Sequence, residues 1–111
     1  MKIVDYRKVP ATAPMPGVTK RVPIGPDDGA PNFIMRVFEI EPGHTSPNHA
    51  HFWEHEIFIL AGNGFVRDQA GRETPIGEGT AIFIPGEENH CLINRSGEAL
   101  RFICLIPTGA E

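Results

Sequence analysis

From Asn32 to the end, the chain alternates apolar and polar residues in short runs that stop at glycine, proline or asparagine. Side chains on a strand alternate between faces, so this period of two predicts half-buried strands. Asn32 to Glu41 reads as a strand that stops at Pro42-Gly43, and His49 to Ala61 as another that ends at Gly62-Asn63-Gly64. Phe65–Asp68 and Arg72–Pro75 flank Gln69-Ala70-Gly71 as a hairpin. Thr80 to Ile84 stops at Pro85-Gly86, and His90–Asn94 with Ala99–Ile106 reads as a second hairpin around Arg95-Ser96-Gly97. No window carries a capped 3.6-residue apolar period, so no helix is predicted. Strands at this spacing imply an all-β sandwich or barrel over residues 32–111. Residues 1–31 hold Pro10, Pro14, Pro16, Pro23, Pro26 and Pro31. Such a segment cannot fill a sheet centre. It reads as an arm, with a short strand at Lys20–Ile24, that packs on the barrel or on a partner subunit.

Composition adds exclusions. The 12 glycines and 11 prolines among 111 residues are punctuation between strands, because a hydrophobic share of 41% still supports a core. A net charge of −4 with scattered lysines and arginines argues against a nucleic-acid partner. Apolar runs such as Ile57–Ala61 are far shorter than a membrane span, and charge interrupts Met1–Lys8 before a signal peptide could form. Cys91 and Cys104 form neither a disulfide framework nor a CxxC site. The expectation is a cytoplasmic protein with no membrane partner.

The histidines change the picture most. Of five, four fall at His49, His51, His55 and His90. On an extended strand residues 49, 51, 53 and 55 share a face, which puts three imidazoles together as metal ligands would be; the alternative is ordinary polar residues on a solvated face. Imidazole nitrogens suit Mn, Fe, Co, Ni, Cu or Zn, and spacing does not choose among them.

Gly43, His49, His51, a site at residue 55 and Gly62 resemble the first sequence motif of the cupins; Gly79, Pro85, His90 and Asn94 resemble the second. Two positions depart from the family pattern. Pro85-Gly86-Glu87 stands where Pro-x-Gly is usual, and His55 stands at the glutamate position between Glu54 and Glu56. Strand parity and the spacing to Gly62 favour His55, whereas a one-residue bulge would turn Glu56 inward. The resemblance implies a small single-domain cupin, a double-stranded β-helix or jelly-roll barrel. It implies one divalent transition metal per chain held by His49, His51, His55 and His90, as in the four-histidine manganese cupins, with manganese expected first. It implies a small chelating or anionic substrate. A dioxygenase-like oxidoreductase, using dioxygen as well, is the leading expectation. A non-oxidative isomerase or decarboxylase, or a binding protein without turnover, is the alternative.

Parity also nominates pocket residues. Phe102, Cys104 and Ile106 face inward if Arg101 faces water, and Trp53 shares the parity of the ligands. Arg36 either lies on an outer face or anchors a substrate carboxylate from within. His44 reads as a surface residue, Cys91 as structural, Glu87 and Glu88 as solvated, and Glu54 and Glu56 as solvated acids or partners of a ligand imidazole. The arm suggests a homodimer.

Overall fold

The computed structural model describes residues 1–110. Nine strands run in chain order: β1 Thr12–Met15, β2 Val18–Ile24, β3 Phe33–Ile40, β4 His55–Ala61, β5 Asn63–Arg67, β6 Glu73–Gly77, β7 Ala81–Ile84, β8 Cys91–Ile93 and β9 Leu100–Pro107. Two short 3₁₀ turns lie at Tyr6–Lys8 and Pro26–Asp28. A six-stranded sheet has the order β1-β2-β3-β9-β4-β7, and a three-stranded sheet the order β6-β5-β8. All pairings are antiparallel. The expected all-β, jelly-roll architecture is present.

The larger sheet is built by alternation. Ile34, Arg36, Phe38 and Ile40 of β3 stand opposite Ile106, Cys104, Phe102 and Leu100 of β9. The last three, with Ile34, Ile40, Ile57 and Ile59, belong to the buried core, as do Ile76 and Leu92 of the smaller sheet. The other face carries Arg21, Glu39 and Arg101, whose guanidiniums meet the Glu39 carboxylate at 2.9 and 3.0 Å. It also carries the exposed rings of Phe58 and Phe83. Gly62, between β4 and β5, has φ +88°, and a Cβ there would overlap the Ala99 carbonyl oxygen. Only glycine meets both demands.

Two strand expectations change. The run from His49 is not one strand: β4 starts at His55, and residues 49–54 hold only an isolated bridge, His49 to His90. This segment leaves Thr45, which bridges Ile93 of the small sheet, and enters the large sheet at β4. A chain that crosses between sheets cannot pair continuously in either. For the same reason β8 and β9 do not form a hairpin: β8 pairs with β5, and β9 with β3 and β4. Between them Asn94 Nδ2 donates to Ile40 O at 2.9 Å and to Glu98 O at 2.8 Å, pinning the crossover to β3. In the Pro-rich segment the short strand expected at Lys20–Ile24 is present as β2, which begins at Val18. β1 and β2 extend the large sheet at its edge within their own chain, β2 pairing with β3 from Val18↔Ile40 to Ile24↔Met35. Among the described residues, no helix is long and apolar enough to cross a membrane.

Candidate metal centre

Each histidine reaches the site by a different route. His55 opens β4 with its side chain inward, 5% exposed, while Glu56 faces outward and is exposed. The bulge that would bring Glu56 inward is absent: β4 pairs with β7 in unbroken register from His55↔Ile84 to Phe58↔Ala81. His49 and His90 exchange backbone hydrogen bonds of 3.2 and 3.0 Å, which puts both side chains at one level of the small sheet's rim. His51 sits in the crossing segment. Its carbonyl accepts a hydrogen bond from Glu87 N, and Gly86 lies so close beneath that a Cβ would overlap the Phe52 carbonyl oxygen. The Pro85-Gly86-Glu87 turn thus props the segment that carries His51. Glu87 has φ +70°, the one non-glycine residue with positive φ among those described.

The four rings converge. Centroid separations are 4.1 Å for His49–His51, 5.3 Å for His49–His90, 5.5 Å for His51–His55 and 4.9 Å for His55–His90. His90 Nδ1 lies 2.9 Å from Glu88 O; a carbonyl only accepts, so Nδ1 carries a proton and Nε2 is the nitrogen left to bind an ion. His55 Nδ1 lies 3.3 Å from Cys104 Sγ, and His55 Nε2 is buried with no hydrogen-bond partner. His49 Nε2 and His51 Nε2 stand 3.0 Å apart. Burial, followed by the neighbouring imidazoles and Arg36, pushes His49 down to about 4. Burial, followed by His90, Arg36 and the other two rings, pushes His55 down to about 3. His51 is lowered too, by burial and then by His90 and Arg36. These three rings are neutral at pH 7, the form that ligates a metal.

Among the described residues, no three His, Cys, Asp or Glu side chains stand in a finished chelating arrangement. The donor chemistry nonetheless fits an ion. A buried imidazole nitrogen without a partner is costly, and His55 Nε2 is such an atom. Two nitrogens bound at right angles to one ion, each at about 2.1 Å, stand about 3.0 Å apart. His49 and His51 have that separation.

The rings open into a cavity of about 190 Å³ lined by Arg36, Phe38, Ile57, Leu92, Phe102 and Cys104 as well as the four histidines. Pro14, Val18 and Lys20 of the N-terminal hairpin close one side. No aspartate or glutamate lines it, and Lys20 and Arg36 do. Phe38 and Phe102 stack at 5.4 Å, with the Arg36 guanidinium 5.0 Å over Phe38.

Of the pocket residues expected from parity, Arg36, Phe102 and Cys104 line the cavity. Arg36 takes the inward alternative, because its parity is that of Ile34 and Phe38. Trp53 and Ile106 are not part of the wall. Trp53 lies behind His51 and packs against the core, and Ile106 is buried at 2%. His44 is half-buried, its ring packed over Gly17. Cys91 is buried in β8. Lys20 was not legible as a lining residue, since only the pairing Lys20↔Phe38 brings it over the cavity. The motif asparagine, Asn94, serves the crossover and not the site.

Residues 36–106 match the sequence model of the cupin domain. No protein in a search of curated sequences matches. Among solved structures, the polyketide cyclase RemF from Streptomyces resistomycificus is 38% identical, with TM-score 0.88 over 96% of this chain and 79% of that one. A cupin-2 domain protein from Rhodospirillum rubrum, 23% identical, superimposes with TM-score 0.84 over 99% of this chain and 76% of its own. A predicted oxalate decarboxylase from Thermotoga maritima, also 23% identical, does so with TM-score 0.81 over 96% and 99%. The last two likenesses show the fold alone. With the two motifs, the jelly-roll topology and the domain match in agreement, this chain belongs to the cupin family.

Proposed function

We propose that the chain is a metal-dependent, non-oxidative enzyme that closes a ring in an enolisable 1,3-dicarbonyl substrate, a polyketide-cyclase type of reaction. The observation that carries this reading is the convergence of four imidazoles, His55 Nε2 buried and unpartnered among them, on an acid-free apolar cavity. The 38% identity to a polyketide cyclase supports the substrate class. His49, His51, His55 and His90 would hold one divalent transition metal, for which manganese remains the first expectation of the resemblance. When bound there, such an ion would supply Lewis acidity to a substrate carbonyl.

The remaining steps belong to the protein. Phe38 and Phe102, stacked on each other, line the cavity with apolar ring surface against which a planar enol can pack. Arg36 brings positive charge to that wall and favours an anionic oxygen there. A cavity of about 150 Å³ holds one benzene, so the 190 Å³ here admits one forming ring and leaves a longer chain to extend through the mouth. The confinement brings an enol carbon and a distant ketone together. A C–C bond forms between them as the ketone C=O π bond opens, the enol O–H proton ends on the new alkoxide, and loss of that hydroxyl with the adjacent C–H proton as water restores conjugation. No oxidant is consumed. This distinguishes the reaction from the dioxygenase-like expectation, which uses the same ligands.

The test is to follow a synthetic tri- or tetraketide mimic with metal-loaded protein in air and under strict anaerobiosis. Equal rates of cyclised product in both support the proposal; stoichiometric oxygen uptake with no anaerobic turnover overturns it in favour of the oxidative reading.

A further inference from the structure

Cys104 occupies a position that the metal reading alone does not explain. It is 3% exposed, faces the cavity from β9, and stands directly across from Arg36 of β3. Its sulfur lies 3.0 Å from Arg36 Nη2 and 3.3 Å from His55 Nδ1. A guanidinium only donates, so toward Arg36 the sulfur is an acceptor. Toward His55 two arrangements are open. If the thiol donates to Nδ1, the ring proton moves to Nε2, a buried atom with no acceptor in reach. If Nδ1 donates to the sulfur, the lone pair stands on Nε2, inside the histidine cluster. The first arrangement buries an unsatisfied N–H; the second leaves a bare nitrogen that an ion satisfies.

We propose that Cys104 is the positioning residue of His55: its sulfur, held by Arg36, accepts the Nδ1 proton and presents the Nε2 lone pair to the metal. The inference rests on the four-histidine reading and adds the group that selects the tautomer and ring rotation of one ligand. Metal-binding histidines commonly use a carboxylate or carbonyl for this purpose, as His90 uses Glu88 O. His55 uses sulfur because β9 puts Cys104 in the place a carboxylate would take, and no acidic residue lines the cavity.

The test compares Cys104→Val, Cys104→Ser and, as a control at the other buried cysteine, Cys91→Val. Each is assayed for Co²⁺ affinity by chelator competition, for the visible absorption of bound Co²⁺, and for thermal unfolding without metal. Loss of the acceptor in Cys104→Val should weaken Co²⁺ binding by about 10–100-fold and shift the Co²⁺ spectrum. Cys104→Ser keeps an acceptor and should stay within a few-fold of wild type, although it is the less stable protein. Cys91→Val should bind as wild type does. A purely packing role predicts the reverse order, since valine fills an apolar site and serine buries a hydroxyl. Cys104→Val binding as tightly as wild type, or more tightly than Cys104→Ser, would overturn the proposal. Should Cys104→Val not fold, Arg36→Met, which removes one hydrogen bond to the sulfur, carries the test: weaker binding supports it and unchanged binding overturns it. Wild-type protein that binds no Co²⁺ overturns the four-histidine reading itself, a result distinct from either.

Discussion

The indole of Trp53 lies flat on the imidazole of His51, with centroids 4.1 Å apart and planes 9° from parallel. His51 comes from a segment without strand pairing, and this stack, the hydrogen bond to its carbonyl and the 3.0 Å contact with His49 Nε2 hold the ring near the other three. Trp53 is also the chain's single tryptophan. Its emission therefore reports on His51. Titrating metal-free protein with Co²⁺ or Cu²⁺ should quench tryptophan fluorescence and saturate at about one ion per chain, and His51→Ala should remove the tight phase. Emission that ignores either ion would contradict a site at His51.

Glu87 offers a stability prediction. A non-glycine residue in the left-handed region costs about 1–2 kcal/mol, and Glu87 has φ +70°. Glu87→Gly should raise stability by about 1 kcal/mol, read as a higher midpoint in urea. Gly86→Ala should act in the opposite direction and also weaken metal binding, because its Cβ pushes on Phe52 and hence on the His51 segment. A stabilising Gly86→Ala would show that the turn does not prop that segment.

These cases show what sequence reasoning reaches. That His55 and not Glu56 faces inward agrees with the parity reading, and β4 pairs with β7 without a bulge from His55 to Phe58, although that parity was drawn through residues 49–54, which are not a strand. Arg36 was half legible: parity gave it the face of Ile34 and Phe38, but which face looks inward depends on how β3 sits between β2 and β9. His49 and His51 converge although the strand that predicted it does not exist. Their convergence comes from the bridge to His90 and the Gly86 turn, which are contacts between distant segments. Local pattern also misreads β8 and β9, since a turn between two apolar runs looks the same whether the strands pair or part to opposite sheets.

Acid lability should have a distinct component in the small sheet. Glu73 accepts hydrogen bonds from Arg95 and Arg67, and the two guanidiniums hold its carboxyl down to about 2. A carboxylate with a lowered folded pKa stabilises the fold above its unfolded value, near 4.5, and loses that contribution as pH falls through about 2. The stability difference between wild type and Glu73→Gln should therefore be fully present at pH 6 and shrink steadily below pH 4.5. Arg95 is exposed and Glu73 and Arg67 are half-buried, all in reach of solvent, so the difference should be small and should diminish in high salt. A difference that is constant from pH 6 to pH 2.5 would show that the carboxylate's charge is not what the two arginines use.

The aromatic wall predicts a further separation of effects. Phe102 is 4% exposed and stacked on Phe38. Phe102→Ala should cost about 3–5 kcal/mol yet leave metal content unchanged, since no ligand touches it through a hydrogen bond. Thermal unfolding and elemental analysis of the same sample check both parts. Loss of metal from a still-folded variant would tie the wall to the ligands.

In the proposed site four imidazoles, and not three with Glu56, hold one ion. The direct measurement is transition-metal content by elemental analysis of purified wild type, His55→Ala and Glu56→Ala. About one ion per chain in wild type and in Glu56→Ala, with most of it lost in His55→Ala, is the predicted result. Metal retained by His55→Ala and lost from Glu56→Ala, or content indifferent to both substitutions, would contradict it.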